Sequence, residues 1–120
     1  MQGLGELESA VMDALWNSDR PRTVREVLAE LNRTRALAYT TVQTVFDNLH
    51  RKGWVHRELQ RRAYHYVPTE TRDAAAARAL RALLDSSGDP EGVLLHFAQS
   101  ASDDETAALR RGLRRRRSRP

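Results

Sequence analysis

At Gly53 the spacing of apolar residues changes from a period near 3.6 to a period of 2, which limits the first half of this chain to short helices followed by a hairpin. Upstream, Leu4, Leu7, Val11 and Leu15, broadened by Met12 and Trp16, predict a helix over about 5–17 that stops at Asn17-Ser18-Asp19-Arg20-Pro21. Thr23 stands three residues before Glu26 as a capping box, and Val24, Val27, Leu28 and Leu31 continue it as a second helix over about 24–32. After Arg33-Thr34-Arg35, the stripe Val42, Val45, Phe46 and Leu49 predicts a third helix over about 38–52, with Gly53 as its C-terminal stop. Downstream, Trp54–Leu59 and Ala63–Val67 are rich in aromatic and β-branched residues and flank Gln60-Arg61-Arg62. They predict a β-hairpin with a basic tip, ended by Pro68.

This order is that of a winged helix-turn-helix over 1–68, with the third helix as recognition helix and the hairpin as wing. The remainder is rich in Ala and Leu and carries three more helix signals. Ala74–Ala79 with Leu80, Leu83 and Leu84 form the first; Asp89-Pro90 opens the second through Val93, Leu94, Leu95 and Phe97; Ser102 and Glu105 box the third, through Ala108, Leu109 and Leu113. Three helices of this size carry too little apolar mass to close a core alone. The fold class expected is therefore mainly α with a small β-hairpin: a winged-helix domain over 1–68, a helical dimerisation module over 69–113, and a basic, disordered tail over 114–120. The interface residues expected are Leu80, Leu83, Leu94, Leu95, Phe97, Leu109 and Leu113. Helices packing back on the winged helix in a monomer are the alternative.

A chain of 120 residues, 30% charged with mean hydropathy −0.66, fits one domain or two very small ones. With no apolar run of membrane-spanning length and no signal-peptide pattern at the start, it is expected in the cytoplasm, away from membranes. The absence of cysteine removes disulfides, thiolate nucleophiles and Cys-based metal sites. His50, His56, His65 and His96 are never paired at i,i+3 or i,i+4, so no metal and no cofactor are expected. Neither a Ser–His–acid order nor a phosphate-cradling glycine loop is present, so the chain is not expected to be an enzyme.

Charge is zoned. Residues 1–32 hold three Arg against six acids; 33–68 hold six Arg and one Lys against Asp47 and Glu58; 69–109 hold three Arg against eight acids; the last eleven residues add seven Arg. A basic helix-plus-hairpin stretch calls for a polyanionic partner, here double-stranded DNA. On the third helix, the face opposite the apolar stripe presents Thr40, Thr44, Asp47 and Arg51, flanked by Gln43, Thr41 and Asn48. Gln can bond adenine twice, Arg can bond guanine or phosphate, and Thr can touch a thymine methyl. Asp47 opposes such a role, and an i,i+4 pair with Arg51 would mute it. The full candidate contact set is Arg35, Tyr39, Thr40, Thr41, Gln43, Thr44, Asn48, Arg51, Arg61 and Arg62. Trp16 and Trp54 are expected in packing, Tyr64 and Tyr66 against the first helix, and His65 on the opposite face of the hairpin. A non-specific architectural DNA-binding protein would need only the basic wing and tail.

The segments LGELESAVMDALW, TVREVLAEL, AYTTVQTVFDNLHRKG and RRAYHYVP, with LLHFAQ further on, resemble the penicillinase repressors of the BlaI/MecI type over nearly the whole chain. The resemblance implies a homodimeric winged-helix repressor of inverted repeats with TACA/TGTA halves, upstream of β-lactamase or cell-wall genes. By position it assigns DNA contact to Thr40, Thr41, Gln43, Thr44, Arg51, Arg61 and Arg62. Two positions depart from the family pattern: Asn48 stands where Arg is common, and Arg61 where the wing commonly has Gly. Proteolytically regulated members are cut at an Asn–Phe bond by a sensor-linked protease, and the matching bond is His96–Phe97.

Overall fold

In the computed structural model, which describes residue 1 and residues 3–117, the elements follow the order α1 (Glu6–Trp16), α2 (Val24–Leu31), α3 (Tyr39–Arg51), β1 (Val55–Gln60), β2 (Ala63–Pro68), α4 (Arg72–Ser86), α5 (Pro90–Ser100) and α6 (Asp103–Arg117). Their ends are set by the local chemistry anticipated for them. Thr23 Oγ1 accepts the Glu26 N–H while Glu26 accepts the Thr23 N–H, which closes the capping box of α2. Asp89 accepts the Gly92 N–H ahead of Pro90, and Ser102 and Glu105 bond reciprocally before α6. At the end of α3, Gly53 takes φ +82°, its N–H donates to the His50 carbonyl, and the Trp54 N–H donates to the Leu49 carbonyl. This is the Schellman arrangement, in which a left-handed residue turns the chain while the next side chain packs on the last helical turn. It aims the chain from α3 directly into β1.

Contacts divide the chain within α4, into 1–79 and the residues from Leu80 onward. The sequence boundary at 68/69 falls earlier, in the loop before α4, because the first turns of α4 belong with the winged helix. In that first unit the core is built by Val11, Met12 and Leu15 of α1, Val24 and Val27 of α2, the whole stripe Val42, Val45, Phe46 and Leu49 of α3, and Trp54, Val55 and Tyr66 of the hairpin. Ala75 of α4 joins it. Trp16 and Trp54 meet edge to face with centroids 6.5 Å apart; the Trp16 indole donates to the Glu70 carbonyl, and Arg72 and Arg78 lie over the two rings. The two tryptophans are packing residues that hold the start of α4.

β1 and β2 pair antiparallel, with Gln60 opposite Ala63 and Val55 opposite Pro68. Arg22 bridges Tyr66 through two backbone hydrogen bonds, so the loop before α2 borders the wing. The two tyrosines differ from the expectation that both pack on the first helix. Tyr66 is fully buried with its ring 4.5 Å from Phe46 of α3, whereas Tyr64 is 41% exposed under the Arg57 guanidinium. Tyr64 lies one strand step nearer the tip than Tyr66, out of reach of the core.

In the second unit neither α5 nor α6 has a buried residue. α6 runs on through Arg117, so Arg114–Arg117, expected in a disordered tail, are helical; residues 118–120 of that tail lie outside the described residues.

Candidate nucleic-acid interface

Burial of four apolar residues fixes the rotation of α3 and leaves Thr40, Thr41, Thr44, Asp47 and Arg51 exposed on its outer side. A chain of polar contacts runs along that side. The Tyr39 hydroxyl donates to Gln43 Oε1 (3.4 Å), and Gln43 Nε2 donates to Asp47 Oδ1 (3.1 Å). Arg57 of β1 brings its guanidinium to 3.7 Å from the same carboxylate oxygen and stacks on Tyr64 at 4.2 Å. Asp47 therefore turns to Gln43 and to the wing, where sequence spacing suggested Arg51. The Thr44 hydroxyl donates to the Thr40 carbonyl (2.9 Å), which leaves its methyl and its lone pairs for an outside partner.

The wing tip is a two-residue turn in which both Arg61 (φ +52°) and Arg62 (φ +73°) are left-handed. Two positive φ values in a two-residue loop match the strand twist, and Asn-Gly is the usual solution. Arginine there costs about 1 kcal/mol per residue in backbone strain. Arg61 and Arg62 therefore make the turn at that cost and place two positive charges at its apex. Between this tip, the start of α2 and α3 lies a cleft of about 300 Å³ lined by Arg25, Tyr39, Gln43, Arg62 and Tyr64 among others. Arg25 also sits 5.5 Å from the centre of the Tyr39 ring.

The structure thus brings Tyr39, Gln43 and Arg62 together and lines Thr40, Thr41, Thr44 and Arg51 along one helix face. Asn48 is half-buried beside them. Arg35 stands apart, in the turn before α3, with its guanidinium 3.4 Å from Glu6 of α1. Arg25 and Arg57 were missed from sequence. The signal for Arg57 was available, since a two-residue turn at Arg61-Arg62 puts Arg57 opposite Tyr66 and on the same hairpin face as Tyr64.

Ion pairs brace the scaffold under this face. Lys52, which ends α3, bonds both carboxylate oxygens of Glu8 at 2.9 Å. Burial pushes the Glu8 carboxyl up, but the Gly5 N–H and the Lys52 ammonium outweigh it and hold the group below its ordinary range. Glu26 is held down to about 2 by the hydrogen bond from Arg20 and the Thr23 N–H.

Comparison with known proteins agrees with this architecture. The penicillinase repressor family model matches residues 4–115. The transcriptional regulator BlaI of Mycobacterium tuberculosis (strains CDC 1551 / Oshkosh and ATCC 25618 / H37Rv) is 42% identical over 113 residues, covering 92% of this chain and 82% of that protein. The solution structure of the DNA binding domain of the repressor BlaI superposes with TM-score 0.53 at 26% identity, covering 58% of this chain and 84% of that one. MepR, a transcription regulator of the Staphylococcus aureus multidrug efflux pump MepA, shares the fold with TM-score 0.53 at 16% identity over 97% of this chain and 79% of its own. With its family pattern spanning both units and its helices and wing in the matching order, this chain belongs to the penicillinase repressor family.

Proposed function

We propose that the protein is a sequence-specific transcriptional repressor that binds inverted-repeat operators as a homodimer in the bacterial cytoplasm. The observation that carries this reading is the held amide of Gln43. Tyr39 and Asp47 each occupy one site on it, leaving one N–H and one carbonyl lone pair for the paired contact an adenine edge offers. A side chain fixed in advance loses little freedom on binding, so its hydrogen bonds count toward discrimination. Arg61 and Arg62 at the wing tip supply charge for phosphates, which position the helix without reading sequence. Family membership supports operators of the TACA/TGTA type and target genes in β-lactam or cell-wall response.

Dimerisation is supported by the second unit. Leu80, Leu83, Leu94, Leu95, Phe97, Leu109 and Leu113 are each between 47% and 60% exposed in the single chain. Seven large apolar residues half-exposed on three short helices leave apolar faces that a partner surface would cover. A second copy covers them and sets two α3 helices on one duplex. The His96–Phe97 bond lies inside α5, so a sensor-linked protease would cut it only after α5 unwinds, and the cut would separate Phe97 from the residues before it in the interface.

Selection of duplexes from a randomised pool tests the reading. Enrichment of a dyad with two like halves is expected. A pool that stays unenriched while binding remains strong would show an architectural protein that coats DNA.

A further inference from the structure

We infer that the C-terminal half of α6 is a second DNA-binding surface, one that grips phosphates without regard to sequence. Its charge is arranged for an outside partner. Asp103, Asp104 and Glu105 occupy the first turn, whereas Arg110, Arg111 and Arg114–Arg117 fill the last two turns. At 100° per residue, Arg111, Arg114 and Arg115 fall on the side away from Leu109 and Leu113, with Arg110 on its flank, while Arg116 and Arg117 lie on the leucine side near the helix end. The basic side can therefore face a polyanion while the leucines face protein.

Elsewhere most cations are paired. Arg20, Arg22, Arg35, Lys52, Arg57, Arg72 and Arg78 each have a carboxylate partner. Among the described residues, Arg110, Arg111, Arg115, Arg116 and Arg117 have none, nor do Arg25, Arg33, Arg51, Arg61 and Arg62 of the first unit, so α6 holds the densest run of cations without a carboxylate partner. Like charges at i,i+4, as at Arg111 and Arg115, destabilise a helix, and the helix dipole offsets this only in the last turn. The first-turn acids lie about 10 Å away along the axis, too far to neutralise the cluster. An external polyanion removes the repulsion.

Two polyanions are available: DNA, and the acidic stretch 69–109 of a second copy. Much of that acidic stretch is already committed. Glu70 pairs with Arg78, Asp85 with Arg81, Asp89 caps α5 and Glu105 caps α6. DNA instead presents closely spaced phosphates, and their neutralisation releases counterions. The choice of DNA rests on the function proposed for the winged helix.

The test uses the full chain carrying Arg111→Gln, Arg114→Gln and Arg115→Gln together, which keeps helix-forming residues and leaves Arg110, Arg116 and Arg117 in place. Binding to a random-sequence duplex and to the selected operator is measured by anisotropy across a salt series, with sedimentation of the free protein alongside. The slope of log K against log salt should fall by about 2–3 per bound chain, at 0.9 per lost contact, equally on both duplexes. The corresponding Arg→Lys triple variant should restore it. An unchanged slope overturns the proposal; if self-association weakens instead, the arginines belong to the dimer interface. Wild-type preference for operator over random duplex, read in the same series, reports separately on the function proposed for α3.

Discussion

Gln43 is held from both ends by residues with opposite demands: Tyr39 donates to its carbonyl, and Asp47 accepts from its amide nitrogen. Under the proposed function, a carboxylate near phosphates repels DNA, and orienting Gln43 and Arg57 at once offsets that cost. Asp47→Ala should raise affinity for random duplex several-fold and cut the operator-to-random ratio by about tenfold, equivalent to about 1.4 kcal/mol, in parallel anisotropy titrations. A ratio left intact would show that Gln43 needs no such support. Gln43→Ala should cost about 1–3 kcal/mol on operator with little change on random duplex. Glu26 offers a test of stability against pH. Its carboxyl is held at about 2 against an ordinary 4.5, so the folded state gains above about 4.5 and loses that gain as pH falls toward 2. Because the Glu26 side chain is one-third exposed, the gain is discounted to about 1–2 kcal/mol. Thermal melts at pH 7 and pH 3 should show that Glu26→Gln flattens this dependence while the Thr23 cap persists.

Individual elements were mostly legible because their ends are written in adjacent residues. Thr23 with Glu26, Asp89-Pro90, Ser102 with Glu105, and Gly53 all act within five positions of sequence, and each does what its local chemistry dictates. What sequence did not show depends on register and on contacts distant in the chain: Arg57 reaching Asp47, Arg22 bridging Tyr66, and the two tryptophans holding the start of α4. The wing turn illustrates a conflict between levels. Left-handed Arg61 and Arg62 are unfavourable locally, and strain of this kind is retained where a side chain is needed at that point. Installing the favoured Asn-Gly turn through the paired changes Arg61→Asn and Arg62→Gly should stabilise the fold by about 1–2 kcal/mol in chemical denaturation. The same variant should bind every duplex more weakly, with a salt slope lower by about two per chain. Gain of stability without loss of affinity would take the wing tip out of the interface.

For the whole molecule, the proposed function divides the labour between the two units: 1–79 meets DNA, and the residues from Leu80 onward join two copies. A fragment ending at 79 should fold as a monomer. One ending at 68 should be markedly less stable, because it loses Glu70, Arg72, Ala75 and Arg78, which cover Trp16, Trp54 and the core. Circular dichroism melts of the two fragments compare them directly. Replacing Leu94 and Leu95 by Lys in the full chain should abolish dimerisation at micromolar concentration in sedimentation, as charge on a covered apolar surface is costly. If two linked copies of α3 each read one half of a dyad, scrambling one half of the selected operator removes one of the two contacts. Affinity should then fall by about 10²–10⁴, because the second contact loses its effective concentration, while the 1–79 fragment binds intact and scrambled duplexes with less than a tenfold difference. Full-length protein binding the scrambled operator as tightly as the intact one would contradict that reading.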